Sequence, residues 1–250
     1  MKQMEIPGHV KNHSKPGPDE IKSLVANLGS KDAIVRGNAH RSLADVGKAA
    51  VRQLAEALSN QNERVRSEAG KILDEIAVDW SSYDDGQTIS SLIQALGSSD
   101  GMARVTARQV LVSMRKRAVT PLKEALLSKD QRRRWEAAKA LGQIGDPEAT
   151  DALIRALEDD MFDVRWLAAE GLIAIGDKAI VPLLEALVKK PDSLWLREGA
   201  HHFLHGIDMG NMGKTLLPVR QALEDVEAHL QVPFTVHTAL LALTGRSRKS

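Results

Sequence analysis

An all-α fold of about six to seven stacked helix pairs is what this sequence predicts, and three observations predict it. Six arginines, Arg36, Arg66, Arg104, Arg134, Arg165 and Arg197, recur mostly at intervals of 30 to 32 residues, with one interval of 38. Each is followed by Ala at +3, by Leu at +7 and by Val46, Ile76, Met114, Ile144, Ile175 or Ile207 at +10. A second signature, Leu-x-x-Ala-Leu, stands eight residues before the next arginine in most units. Self-similarity at a period in this range marks a repeat array, in which no unit can bury its apolar face alone.

The arginine-bearing segment forms the first helix of each pair. At 100° per residue, positions −1, +3, +7 and +10 fall within a sector of about 80°, which makes one apolar stripe. Gly47, Gly145 and Gly176 at +11 then supply left-handed C-caps. The second helix carries Leu54–Leu58, Leu92–Leu96, Leu122–Leu126, Leu153–Leu157 and Leu183–Leu187, with Val219–Leu223 as a variant. A degenerate first copy spans Leu24 to Leu28, with Asn27 in place of Ala. Spacings of three and four put these residues on one face. Pro121, Pro182 and Pro218 are expected in the first turns of second helices, where a missing N–H costs least.

Composition agrees and excludes several classes of function. Only eight of 250 residues are aromatic and 27% are charged, which suits helices packed on small side chains. A net charge of +1 gives no general attraction to nucleic acid or anionic membrane. With no cysteine, disulfides, thiolate metal sites and cysteine nucleophiles are excluded, and a cytoplasmic location is expected. No apolar run approaches the roughly 18–20 residues of a spanning helix. The expected organisation is a flexible polar tail over residues 1–17, one solenoid over 18–244 and a basic tail over 245–250.

The motif D-x-x-x-R-x-x-A-x-x-x-L, best seen from Asp32 to Ala39 and from Phe162 to Ala169, resembles the short HEAT repeats of the phycobilin-lyase type. The resemblance covers roughly residues 19 to 225, with a capping helix near Val232–Leu243. It implies a right-handed α–α superhelix whose second helices line the concave face. It also implies a structural ladder, in which the arginines bond acids of a neighbouring repeat. Asp32, Asp100 and Asp130 precede three of the arginines by four residues, Asn62 holds that place before Arg66, and Asp160 and Asp192 fall nearby in the last two units. A planar five-donor guanidinium suits such bridging and can also satisfy helix-end carbonyls.

Enzymes of the resembling fold leave traces that can be sought in the residues. Deoxyhypusine hydroxylase holds two irons with repeated His-Glu pairs, and here no histidine is followed by Glu. A nucleic-acid-modifying enzyme of this class needs a basic concave groove. The concave positions read Ala26, Glu56, Gln94, Glu124, Arg155, Glu185 and Gln221, three acids against one base, which is no phosphate track. The basic runs Arg115–Arg117 and Arg132–Arg134 sit at a turn and a helix start. His201 and His205 could share a metal because i and i+4 side chains are neighbours, but no acid stands at helical spacing on that face. Packing or solvent exposure is the simpler expectation for these two and for His202, and neither a metal nor a cofactor is expected.

Function is expected where the rhythm fails. Insertions run from Asp79 to Thr88 and from Gly206 to Thr215, and insertions in solenoids fall in loops on one face. Trp135 and Trp166 share the outward-facing +1 position of consecutive repeats, which places two indoles about 8–10 Å apart. An exposed aromatic pair beside arginine has the composition of an interface hot spot, whereas indoles lying flat would only cover the array. The expected function is non-catalytic protein binding or scaffolding, with another protein as partner and Trp135 and Trp166 as partner-binding residues. The alternatives are a phycobilin-lyase-like enzyme or enzyme accessory, and a nucleic-acid-modifying enzyme.

Overall fold

The computed structural model describes residues 16–83, 85–225 and 227–247, so residues 1–15 of the expected polar tail and residues 248–250 of the expected basic tail lie outside it. Among the described residues the chain is an all-α solenoid of fourteen α-helices joined by short turns. The first row comprises α2 (Ala33–Val46), α4 (Glu63–Glu75), α6 (Gly101–Ser113), α8 (Gln131–Ile144), α10 (Phe162–Ile175) and α12 (Leu194–Gly206). Each of these packs on the next in the row. The second row comprises α1 (Pro18–Asn27), α3 (Val51–Ala57), α5 (Gly86–Ala95), α7 (Lys116–Ala125), α9 (Thr150–Ala156), α11 (Ile180–Lys189) and α13 (Gly213–Glu224). The last helix, α14 (Ala228–Ser247), packs on both α13 and α11 and closes that end of the array. It runs on to Ser247, so the first three residues of the expected basic tail continue the helix.

The repeated residues form the core between the rows. Every +3 alanine, from Ala39 to Ala200, and every +7 leucine, from Leu43 to Leu204, is buried. Leu54, Leu58, Leu92, Leu96, Leu122, Leu153, Leu157, Leu183 and Leu187 meet them from the other side. Small residues let the first-row helices approach closely. A Cβ on Gly142 of α8 would stand 3.1 Å from the Cα of Gly171 on α10. The seven positions expected on the concave face, Ala26 to Gln221, are all exposed.

Helix ends follow side-chain capping. Asp32, Asn62, Asp100 and Asp130 each accept a hydrogen bond from the N–H two residues on, so these residues are N-caps of α2, α4, α6 and α8. Gly47, Gly145 and Gly176 end α2, α8 and α10 with φ of 63°, 64° and 72°, the positive region that favours glycine.

Two prolines depart from expectation. Pro182 stands in the first turn of α11, but Pro121 and Pro218 lie inside α7 and α13. Burial of Ala118 and Val119 in one case and Leu216 in the other draws the upstream residues into the helix. Tertiary packing there outweighs the one backbone hydrogen bond that each proline forfeits.

Candidate interaction surface

The arginine row has one feature common to all six members. Nη1 donates to the carbonyl six residues upstream: Ser30, Asn60, Ser98, Ser128, Asp159 and Pro191 in turn. Each guanidinium therefore pins the turn that precedes its own helix, and the first five of these bonds measure 2.8 to 3.0 Å. In three repeats the remaining nitrogens reach acids of the next repeat. Arg66 Nε reaches Asp100 at 3.3 Å, Arg104 Nε reaches Glu136 at 3.3 Å, and Arg134 reaches Asp159 at 2.7 Å and also Asp160. The acid ladder thus exists, but of the expected acids only Asp100 both caps a helix and bonds an arginine in this way. Glu136, which the repeat motif does not mark, is 2% exposed and also takes Arg108 Nη1 at 3.1 Å. Burial acts to raise the Asp159 carboxyl, and hydrogen bonds from Arg134 and the Met161 N–H outweigh it, holding the group below the usual carboxylate range.

At Arg165 the lateral contact changes character. Its guanidinium lies over the Trp195 ring at 4.5 Å and near Phe162 at 5.7 Å. Trp166 stands 6.3 Å from Phe162 and 4.2 Å from the His202 ring, centroid to centroid. His202 Nε2 is 2.6 Å from Glu170. These aromatic side chains and Arg165, with Ala169, Glu198 and Gly199, line a cleft of about 340 Å³ between α10 and α12. Phe162, Trp166 and Trp195 remain 62%, 48% and 41% exposed. Three of the chain's eight aromatic residues therefore gather on one outward-facing spot, although burial would normally claim such large apolar groups.

Trp135, the expected companion of Trp166, has different surroundings. It is half-buried against the core, with Lys139 Nζ 4.7 Å above its ring and Met161 beside it in a separate cleft. The partners Trp166 does have in its own cleft, Phe162 and Trp195, occupy positions −3 and −2 relative to the repeat arginines. Apolar residues at −2 in other repeats, Ile34 and Met102, are 73% and 65% exposed. An apolar side chain in that outward register was the signal that could have found Trp195.

The histidine-rich helix also gains a neighbour that helical spacing could not show. Glu224, the last residue of α13, brings Oε1 to 3.0 Å from His205 Nε2 and 3.5 Å from His201 Nε2. The two imidazole rings lie 4.4 Å apart. Chiefly through the His205 hydrogen bond, and further through His201, the Glu224 carboxyl is held below its ordinary range.

Each insertion is anchored to the core by a few side chains and otherwise lies at the surface. In the first, Tyr83 is buried, meets the edge of Trp80 at 5.5 Å and receives Lys48 over its ring, while Asp85 caps α5 and pairs with Arg52 at 2.9 Å. In the second, Met209 and Met212 pack against the core. Of the basic runs, Arg134 belongs to the ladder, whereas Arg115, Lys116 and Arg117 are exposed. No described helix is long and apolar enough to cross a membrane.

Comparison with known proteins places the repeats. Residues 89–165 match the model for HEAT repeats, and residues 164–189 match that for the PBS lyase HEAT-like repeat. The phycocyanobilin lyase subunit alpha of Picosynechococcus sp. (strain ATCC 27264 / PCC 7002 / PR-6) is 32% identical over 118 residues, which cover 44% of this chain and 42% of that protein. The match thus spans less than half the length of that relative. Among solved structures, an engineered protein is 24% identical over 76% of this chain and 97% of its own, with a TM-score of 0.39. A designed armadillo repeat protein in complex with the peptide (KR)4 is 18% identical over 88% of this chain and 99% of its own, with a TM-score of 0.33.

Proposed function

Since this is a HEAT-repeat protein whose units include the PBS-lyase type, we propose that it is a non-catalytic protein-binding or scaffolding module that grips its partner at the α10–α12 cleft. The observation that carries the reading is the aromatic group of Phe162, Trp166 and Trp195 around Arg165. Large planar side chains beside an arginine, already held by their neighbours, lose little freedom when a partner covers them. The lining contains no hydroxyl, thiol or amine nucleophile, which favours recognition over chemistry. Trp135, in a separate cleft one repeat earlier, is a second candidate contact.

A pull-down from the native host tests this, using wild type, Trp135→Ala and the double variant Trp166→Ala/Trp195→Ala. The expected result is a partner retained by wild type, weakened by the first change and lost with the second. Identical retention by all three would remove the cleft from the interface. Absence of any retained protein would remove the binding reading itself.

The match to a phycocyanobilin lyase subunit favours a second reading, a phycobilin-lyase-like enzyme or accessory. Titration with phycocyanobilin separates the two. An unchanged bilin absorption spectrum in the presence of the chain rejects the lyase-like reading, whereas a saturable spectral shift rejects a purely protein-directed one.

A further inference from the structure

We propose that His201, His205 and Glu224 form a binding site for one divalent transition-metal ion of the zinc type, tying α12 to α13. The three residues each offer a ligand atom, and these atoms all lie within 4.8 Å of one another. A tetrahedral zinc ion with ligands at about 2.0–2.2 Å sets neighbouring ligand atoms about 3.3 Å apart. The two distances to Glu224 Oε1, 3.0 and 3.5 Å, bracket that value, and rotation of the two imidazoles closes the remaining separation, which is within 4.8 Å. His201 and His205 are one turn apart on α12, a rigid element that fixes their separation.

The donor set selects the class of ion. Two neutral imidazoles and one carboxylate suit zinc, copper or nickel, whereas calcium and magnesium require shells built of oxygen. Three protein ligands leave a fourth position for water. The ligand side chains are 40%, 45% and 50% exposed, so the ion enters from solvent and keeps that water. Arg197 lines the same cleft as His201 and Glu224, and its Nη1 is engaged by the Pro191 carbonyl.

The location gives the ion a structural task. Between His205 and Glu224, 19 residues apart, the chain runs through the irregular segment that breaks the repeat before α13. A metal bridge closes that loop and fastens α12 to α13, the helix on which α14 packs. Because the ion binds the folded arrangement, it raises stability in step with its occupancy.

The test uses the full chain without a polyhistidine tag and zinc chloride as the only added ligand, read by calorimetric titration and by thermal unfolding. The expected result is saturable binding of one zinc per chain, with a rise in Tm and no competition from magnesium chloride. His205→Ala and Glu224→Gln should each weaken binding by at least about tenfold, as loss of even an outer-shell partner does, and should abolish the rise in Tm. His202→Ala, whose ring is held by Glu170 instead, should bind zinc as wild type does. Circular dichroism shows which variants fold, and any one folded ligand variant decides the matter. Absence of saturable binding overturns the site, as do unchanged affinity in the ligand variants and an equal loss in His202→Ala.

Discussion

Arg134 and Arg165 occupy the same register one repeat apart, pin the same kind of carbonyl, and then diverge. Arg134 is 11% exposed and closed off by Asp159, itself 9% exposed, with Asp160 at the rim. Arg165 meets indole and phenyl rings that stay open to water. Where a carboxylate follows, the nitrogens not bonded to the upstream carbonyl join one repeat to the next. Where aromatics follow, the same guanidinium becomes the floor of a cleft. A repeat array can thus convert a structural position into a recognition position by changing what the arginine faces, without moving the arginine.

Removing ladder acids should break this comparison most strongly. Glu136→Ala leaves Arg104 and Arg108 without their shared carboxylate in a poorly hydrated setting, and loss of one partner from a buried ion pair costs about 3–5 kcal/mol. Urea unfolding should show a loss of that order. Arg134→Ala should cost about 3 kcal/mol for the same reason. Arg165→Ala removes a carbonyl hydrogen bond and an exposed cation–π contact, and should cost about 1 kcal/mol. Equal losses at Arg134 and Arg165 would show that the cleft is as much part of the scaffold as the ladder is.

The helix pairs and the arginine row were legible in the sequence because repetition averages out local noise, whereas the ladder followed from the resemblance and only Asp100 and Asp160 of its expected acids take part in it. Ala39 to Ala200 and Leu43 to Leu204 share one environment, and six copies declare it. The caps were half legible: Asp32, Asp100 and Asp130 stood out by position, but spacing alone does not distinguish an N-cap from a ladder acid. Glu136 escaped notice because its role depends on Arg104 and Arg108 of the preceding repeat. Trp195 and Glu224 escaped for a related reason. Each gains its meaning from a residue on another helix, Arg165 in one case and the His201–His205 pair in the other, and no period links them.

Tryptophan emission sharpens the contrast between Trp135 and the cleft. Trp166 and Trp195 are exposed, while Trp80 and Trp135 are half-buried. Trp166→Phe and Trp195→Phe should each remove a large share of the acrylamide-quenchable, red-shifted emission. Trp135→Phe should remove a smaller share, because Lys139 and the core cover its ring. Blue-shifted emission insensitive to quencher in the wild type would mean that the cleft aromatics are covered, and the proposed grip would lose its surface.

The smallest expected effect lies at the opposite end of the array, where His40, four residues after Arg36 as His201 is after Arg197, stands between two acids. His40 Nδ1 is 2.8 Å from Glu68 and Nε2 is 3.0 Å from Glu75, both on α4. Two acceptors call for two N–H donors, which only the imidazolium supplies. Burial acts to lower the His40 pKa, but the hydrogen bonds and charges of Glu75 and Glu68 outweigh it and raise the group above its ordinary 6.5. A group whose folded pKa is raised binds its proton more tightly in the folded state. Its contribution is therefore complete below about 6.5 and is lost as pH rises through the higher folded value. Tm should fall modestly over that window in wild type, and His40→Ala should flatten the fall while lowering Tm on the acid side. A Tm that is flat above about 6.5 and instead rises with pH below it, with that rise absent in His40→Ala, would show the ring to be neutral in the fold.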